Sequence, residues 1–202
     1  LNLSGKTITP IGNNGTSFTG KFSGNGYTIK NVKMSTDEDL SGGYGLFGVN
    51  TGLIMNLAVE GDISYTLSNG RANVGGICGK NDIGGKIFYC SFEGKVYNGG
   101  NDAVGGICGE NKGWIEYCCA FADVTSDRNV AGGICGRHDD YSGIDSDIYY
   151  CYFVGKVSIN EGNDDSVGAI VASSTAGTRY LNCYYDKERS NVVDNELGVG
   201  KT

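Results

Sequence analysis

The stretches GGICGKN (75–81), GGICGEN (105–111) and GGICGRH (132–138) decide how this chain folds. They align without gaps on YGLFGVN (44–50) on one side and GAIVASS (168–174) on the other. Their third residues are Leu46, Ile77, Ile107, Ile134 and Ile170, spaced 31, 30, 27 and 36 positions apart. A second unit follows each copy: IMNLAVEGDI (54–63), IFYCSFEGKV (87–96), IEYCCAFADV (115–124), IYYCYFVGKV (148–157) and a shortened YLNCYYDKE (180–188). Self-similarity at a nearly fixed period is the mark of a repeat architecture, in which each unit buries its apolar face against its neighbours.

Within IFYCSFEGKV, Ile87, Cys90, Phe92 and Val96 fall on an apolar side, and Ser91, Glu93 and Lys95 fall on the other. That alternation is the strand period. Ile87 and Cys90 are three apart, so a bend must separate two short strands. Two short strands plus turns, repeated every ~30 residues, suit one coil of a solenoid whose coils stack about 4.8 Å apart. Crossovers between parallel strands are right-handed by default. A leucine-rich repeat would show its Leu/Asn signature, and a propeller blade would need four strands over ~40 residues. The expectation is an all-β fold: a right-handed parallel β-helix, or β-solenoid, of about six to seven coils with negligible helix. Residues 1–202 read as one domain. In it, 1–45 supply N-terminal coils, 46–186 carry five repeats and 187–202 form a tail. Strands are expected around Ser17–Phe22 and Tyr27–Met34, joined by the turn SGNG.

Composition agrees. The 35 glycines sit at fixed places beside Val, Ile, Tyr and Phe, which argues for tight turns between strands, not disorder. The net charge of −7 speaks against a nucleic-acid partner, which would need a basic patch. No apolar run approaches the ~20 residues of a membrane helix, so direct membrane insertion is not expected. Leu1 already opens a patterned segment, so the chain reads as a fragment of a larger exported protein.

The GYGLFG and GGICG copies resemble the GLUG-motif family of bacterial repeat proteins, whose motif continues in a strand of the type I-x-[NY]-C-x-x-x-G-x-V. The opening PIG…FTGKFSGNGYTIKNV and the tail CYYDKERS…GVGKT are similar to segments that flank such repeats. The resemblance implies a right-handed β-helix on multidomain surface proteins, adhesin-like and IgA-peptidase-like ones among them. It transfers no catalytic residue.

Stacking assigns a role to most conspicuous residues. Cys90, Cys118, Cys151 and Cys183 share one slot, with Leu57 in the first copy. Cys78, Cys108 and Cys135 share another, flanked by Phe47 and Val171. Both sets read as small inward hydrophobes; no C-x-x-C pair points to a metal, and although one coil spacing would allow a disulfide, in-register parallel side chains seldom reach its torsion, so mostly free thiols are expected. Cys119 falls on the outward side. Asn50, Asn81 and Asn111 form a ladder that His138 and Ser174 continue. Outward charges alternate in the row Asp62, Lys95, Asp123, Lys156 and Glu188, and in Lys80, Glu110 and Arg137. Opposite signs one coil apart support register, at under ~1 kcal/mol each.

Few candidates for chemistry remain. His138 with Asp139, Asp140, Asp145 and Asp147 could hold a divalent cation, but the loop lacks the spacing of a calcium motif. NELGVGKT (195–202) lacks the first glycine of a phosphate loop and no helix follows it. The best surface candidate is aromatic. Tyr89, Tyr117 and Tyr150 precede the Cys slot, and Tyr152 and Tyr184 follow it. Together they suggest a platform for a host glycan or protein. No cofactor is expected. The reading is a non-catalytic structural and adhesive module at a bacterial cell surface, linked to other domains of its chain. The competing reading is a carbohydrate-active β-helix enzyme. It would need two or three carboxylates with Arg or Lys on one outer face. Only Glu60 and Glu93 stand in such a row, interrupted by Phe121 and Val154, with no Arg in it.

Overall fold

Each repeat closes one turn of the chain by four short parallel strands. In a computed structural model, which describes residues 1–40, 42–140, 146–161, 166–175, 178–192 and 199–201, one such turn is Ala72–Gly75, Cys78–Asn81, Lys86–Phe88 and Ser91–Asn98. The next is Val104–Gly105, Cys108–Asn111, Trp114–Glu116 and Cys119–Ser126. Equivalent strands pair in register, Ile87 with Ile115 and Phe92 with Ala120, so the strands of each turn pair with those of the turns beside it. The result is a parallel β-solenoid with four faces: two five-stranded sheets, one of six strands and one of eight.

Two details differ from the expectation. Each coil carries four strands, because the GGICG unit itself splits: Gly75 ends one strand, and Cys78 begins the next. And about five turns are complete, not six to seven. Residues 1–45 contribute only Lys21–Ser23, Thr28–Thr36 and, with the first repeat, Gly42–Tyr44. Before Lys21 the chain makes isolated bridges, Asn2 to Lys30, Ile11 to Phe47 and Phe18 to Asn50. Lacking the repeat's apolar alternation, that segment lies against the first turn without completing a coil of its own. The two expected N-terminal strands are present, though the first starts later than Ser17. They are joined through Asn25 and Gly26, both with positive φ.

The core is a set of stacks running along the solenoid. Ile54, Ile87, Ile115 and Ile148 are fully buried, as are Ile77, Ile107, Ile134 and Ile170. Burying one such side chain stabilises by about 1.5–3 kcal/mol, so the repeated slot is the main source of stability. Gly76 shows why the unit needs paired glycines: a Cβ there would overlap the buried Phe92 ring and the Gly106 carbonyl. Among the described residues, no helix is long and apolar enough to cross a membrane.

Candidate functional site

The bend demanded by the Ile87–Cys90 spacing is a left-handed corner, and the same residue makes it in every turn. Asn56, Tyr89, Tyr117, Tyr150 and Asn182 have φ of 52°, 54°, 53°, 54° and 55°. Asparagine visits this region readily, whereas other side chains pay about 1–2 kcal/mol there. The three tyrosines recover part of that by stacking. Tyr89 and Tyr117 lie 4.8 Å apart at 5°, and Tyr117 and Tyr150 lie 4.8 Å apart at 3°. All three are about half exposed. Each ring covers its neighbour, so the stack turns ring edges outward and closes the faces within it.

Tyr152 and Tyr184 do not continue that stack. They pair with each other two residues beyond the corner, in the eight-stranded sheet. The ammonium of Lys201 lies 4.9 Å from the Tyr184 ring centroid. The five tyrosines form two neighbouring features.

The polar ladder lies inside. Asn50 Nδ2 donates to Asn81 Oδ1 at 2.8 Å, and Asn81 Nδ2 donates to Asn111 Oδ1 at 2.7 Å. Asn111 Nδ2 lies 3.1 Å from His138 Nδ1. All four side chains are buried, and each Asn also donates to a carbonyl of its own turn, Gly52, Gly85 or Gly113. His138 Nε2 has no hydrogen-bond partner, and the ring packs edge-on against Tyr180. Burial holds His138 below its ordinary pKa.

His138 and the acidic loop do not assemble a cation site among the described residues, where no three His, Cys, Asp or Glu converge. Asp147 is buried and committed to Arg179, which donates to both carboxylate oxygens at 2.8 and 2.9 Å. Asp139 and Asp140 are half-buried, and Asp145 lies outside the described residues, as does most of NELGVGKT.

Cys78, Cys108 and Cys135 stack in register on one face. Cys90, Cys118, Cys151 and Cys183 stack at the corner. All seven are buried, and each thiol donates to the carbonyl of a residue two positions away, as Cys135 does to Arg137 at 3.0 Å. Burial pushes Cys78, Cys118, Cys135 and Cys151 well above the ordinary thiol value. Cys119 is half-buried, between Ser91 and Tyr152.

The long outer strands carry a crease that sequence reasoning missed. Gly61, Gly94 and Gly155 have φ of 156°, 143° and 140°, and Gly94 sits in register between Gly61 and Ala122. A Cβ on Gly94 would overlap the Gly61 carbonyl, so from Gly61 to Gly155 this line carries nothing larger than the Ala122 methyl. Over it opens a cavity of about 540 Å³ lined by Glu93, Phe121, Asp123, Val154 and Arg189. The row read as lacking an arginine therefore has one beside it, delivered by the tail that follows the last repeat. Glu60, the other acid of that row, is engaged by Lys30 at 3.0 Å. Lys95 stands in register between Asp62 and Asp123, but none of the ion pairs among the described residues joins that row.

Residues 70–97, one full turn of this solenoid, match the GLUG motif. The whole chain superimposes on 75% of a crystal structure from Bacteroides ovatus, described as a "putative immunoglobulin A1 protease", with a TM-score of 0.72 at 23% identity. At that identity the likeness speaks for the fold. No curated protein matches the chain. Register and fold together identify the chain as a parallel β-solenoid, one turn of which matches the GLUG motif.

Proposed function

We propose that this chain is a non-catalytic module of a bacterial cell-surface protein, a stiff rod that spaces neighbouring domains and offers an exposed face to a host partner. The observation that carries the reading is the in-register pairing of successive turns on four faces, shifted only between Ile29 and Val32 among the described pairings. Almost every polar side chain that stands out in the sequence is used in stacking, which stiffens a rod and leaves few groups for chemistry. The GLUG motif and the Bacteroides ovatus structure, whose description names a protease of a host antibody, support an exported setting. The Tyr89–Tyr117–Tyr150 corner suits a protein partner: its outward ring edges and hydroxyls offer hydrogen bonds beside apolar area.

The competing reading, a carbohydrate-active enzyme, draws on Arg189 beside Glu93 and Asp123. It is weaker because Glu60 is held by Lys30 and the row is broken by Phe121. Antibodies against the chain should label intact cells of the source organism, and external trypsin should remove the label. Label seen only after lysis would refute the surface assignment. Incubation of the isolated chain with immunoglobulin A1 and with a panel of polysaccharides should leave all of them uncut.

A further inference from the structure

The geometry points to a binding site for a neutral sugar on a face distinct from the tyrosine corner: the crease over Phe121, with Glu93, Asp123 and Arg189 as its polar rim. This goes beyond the spacer reading and does not need it.

A pyranose presents two kinds of surface. Its C–H face packs on an aromatic ring, and its hydroxyls around the edge both donate and accept hydrogen bonds. The site must therefore place an unstacked ring beside groups of both hydrogen-bonding senses. Tyr117 fails the first condition, since both of its faces are covered at 4.8 Å, and Tyr89 and Tyr150 each give one face to that stack. Phe121 meets it. It is 45% exposed, and its register partners in the adjoining turns are Glu93 and Val154, neither of them aromatic. Its outward neighbours on the strand are Cys119, Asp123 and Thr125, so no aromatic ring of its own strand covers it.

The rim supplies the second condition. The Glu93 and Asp123 carboxylates accept from hydroxyls, and the Arg189 guanidinium donates to them. Glu93 and Asp123 share the cavity with Arg189, which is also within 3.7 Å of Asp186, and Lys95 stands exposed in register beside Asp123; this mixture leaves no strong excess of one sign, which selects against a charged sugar. The line Gly94, Ala122 and Gly155, which carries nothing larger than a methyl group, gives the crease its depth, and the cavity's 540 Å³ lies within the about 300–1,000 Å³ typical of small-molecule sites. Its openness to solvent suits an internal segment of a glycan chain as well as an end.

Saturation-transfer NMR with cellobiose, maltose, lactose and N-acetyllactosamine tests this, with sialyllactose as the charged control. At least one neutral disaccharide should receive saturation at its C–H protons, and sialyllactose should receive less than lactose. Phe121→Ala should weaken that binding about tenfold. Phe121→Trp should preserve it, and Arg189→Gln should weaken it several-fold. Tyr117→Ala should leave it unchanged. The melting temperature of each variant, read beside the NMR, separates loss of the site from loss of the fold. Absence of transfer to all four neutral sugars, or binding unaltered in a folded Phe121→Ala chain, overturns the proposal.

Discussion

Two rows of polar residues run along this solenoid, one inside and one outside, and the same coil spacing aligns both. Inside, Asn50, Asn81, Asn111 and His138 are buried and joined by hydrogen bonds of 2.7–3.1 Å. Outside, Lys95 stands in register with Asp62 and Asp123, yet no ion pair joins them among the described residues. The row of Lys80 and Glu110 is a separate one, in which Glu110 is buried, and its ions do find partners. Lys112 meets Glu110 at 3.0 Å and Lys80 meets Asp82 at 3.2 Å, each within its own turn. Burial explains the contrast. An amide removed from water must find a partner or lose its hydrogen bonds outright, so the inner ladder is compulsory. A solvated charge keeps its water and gains little from a neighbour.

The comparison is broken most directly at Asn81. Asn81→Ala removes the link between Asn50 and Asn111, taking one buried hydrogen bond from Asn50 Nδ2 and one from Asn111 Oδ1 and leaving them only Gly52 and Gly113. It should cost about 3 kcal/mol, lowering the melting temperature by roughly 10 °C. A calorimetric scan in which the variant melts like the parent would show that the ladder is dispensable.

His138→Asn sharpens the comparison by restoring the amide. Because burial depresses the His138 pKa, the unfolded chain takes up a proton where the folded chain does not. The stability from a neutral His138 is therefore complete above the unfolded value of about 6.5 and falls away as pH drops below it towards the folded value. Burial raises Asp102 and Asp139, which act in the opposite sense, losing stability as pH rises through their raised values. Those acids are common to both chains and cancel in the difference. The variant's advantage in urea midpoint should widen from pH 7 to pH 5. An advantage that stays constant would place the proton elsewhere.

Thiols report the same divide between inside and outside. Native labelling with a maleimide should modify Cys119 slowly, since burial raises its pKa too, and should spare the seven ladder thiols until urea is added. Mass spectrometry showing several labelled cysteines in the native chain would mean that the stacks open. The smallest effect belongs to the outer row. Lys95→Ala should change stability by no more than about 0.5 kcal/mol, and 0.5 M salt should leave that difference unchanged.

Much of this was legible before any coordinates. Aligning Asn81, Asn111 and His138 as one slot required only the repeat, and the Ile87–Cys90 spacing announced the corner that Tyr89 makes. The sequence misled where the answer depended on residues outside the repeat or on backbone conformation. Four strands per coil, not two, follows from a break after Gly75 that alternation does not encode. The shortfall in turns follows from residues 1–20, which bridge to the first turn without forming strands of their own. Grouping Tyr152 and Tyr184 with Tyr89 was reasonable from spacing, but the left-handed corner at Tyr89 separates them.

The amino-acid sequence by itself determined which residues share a stack, because parallel strands in register bring equal positions of each repeat together one coil apart. Only the tertiary structure decided what each stack leaves open. The corner tyrosines close the faces within their stack, Phe121 stands unstacked over a crease that carries nothing larger than a methyl group, and Arg189 arrives beside Glu93 and Asp123 from beyond the repeats. Those outcomes depend on ring orientation, backbone handedness and the path of a non-repeating tail, and a repeat alignment carries none of these.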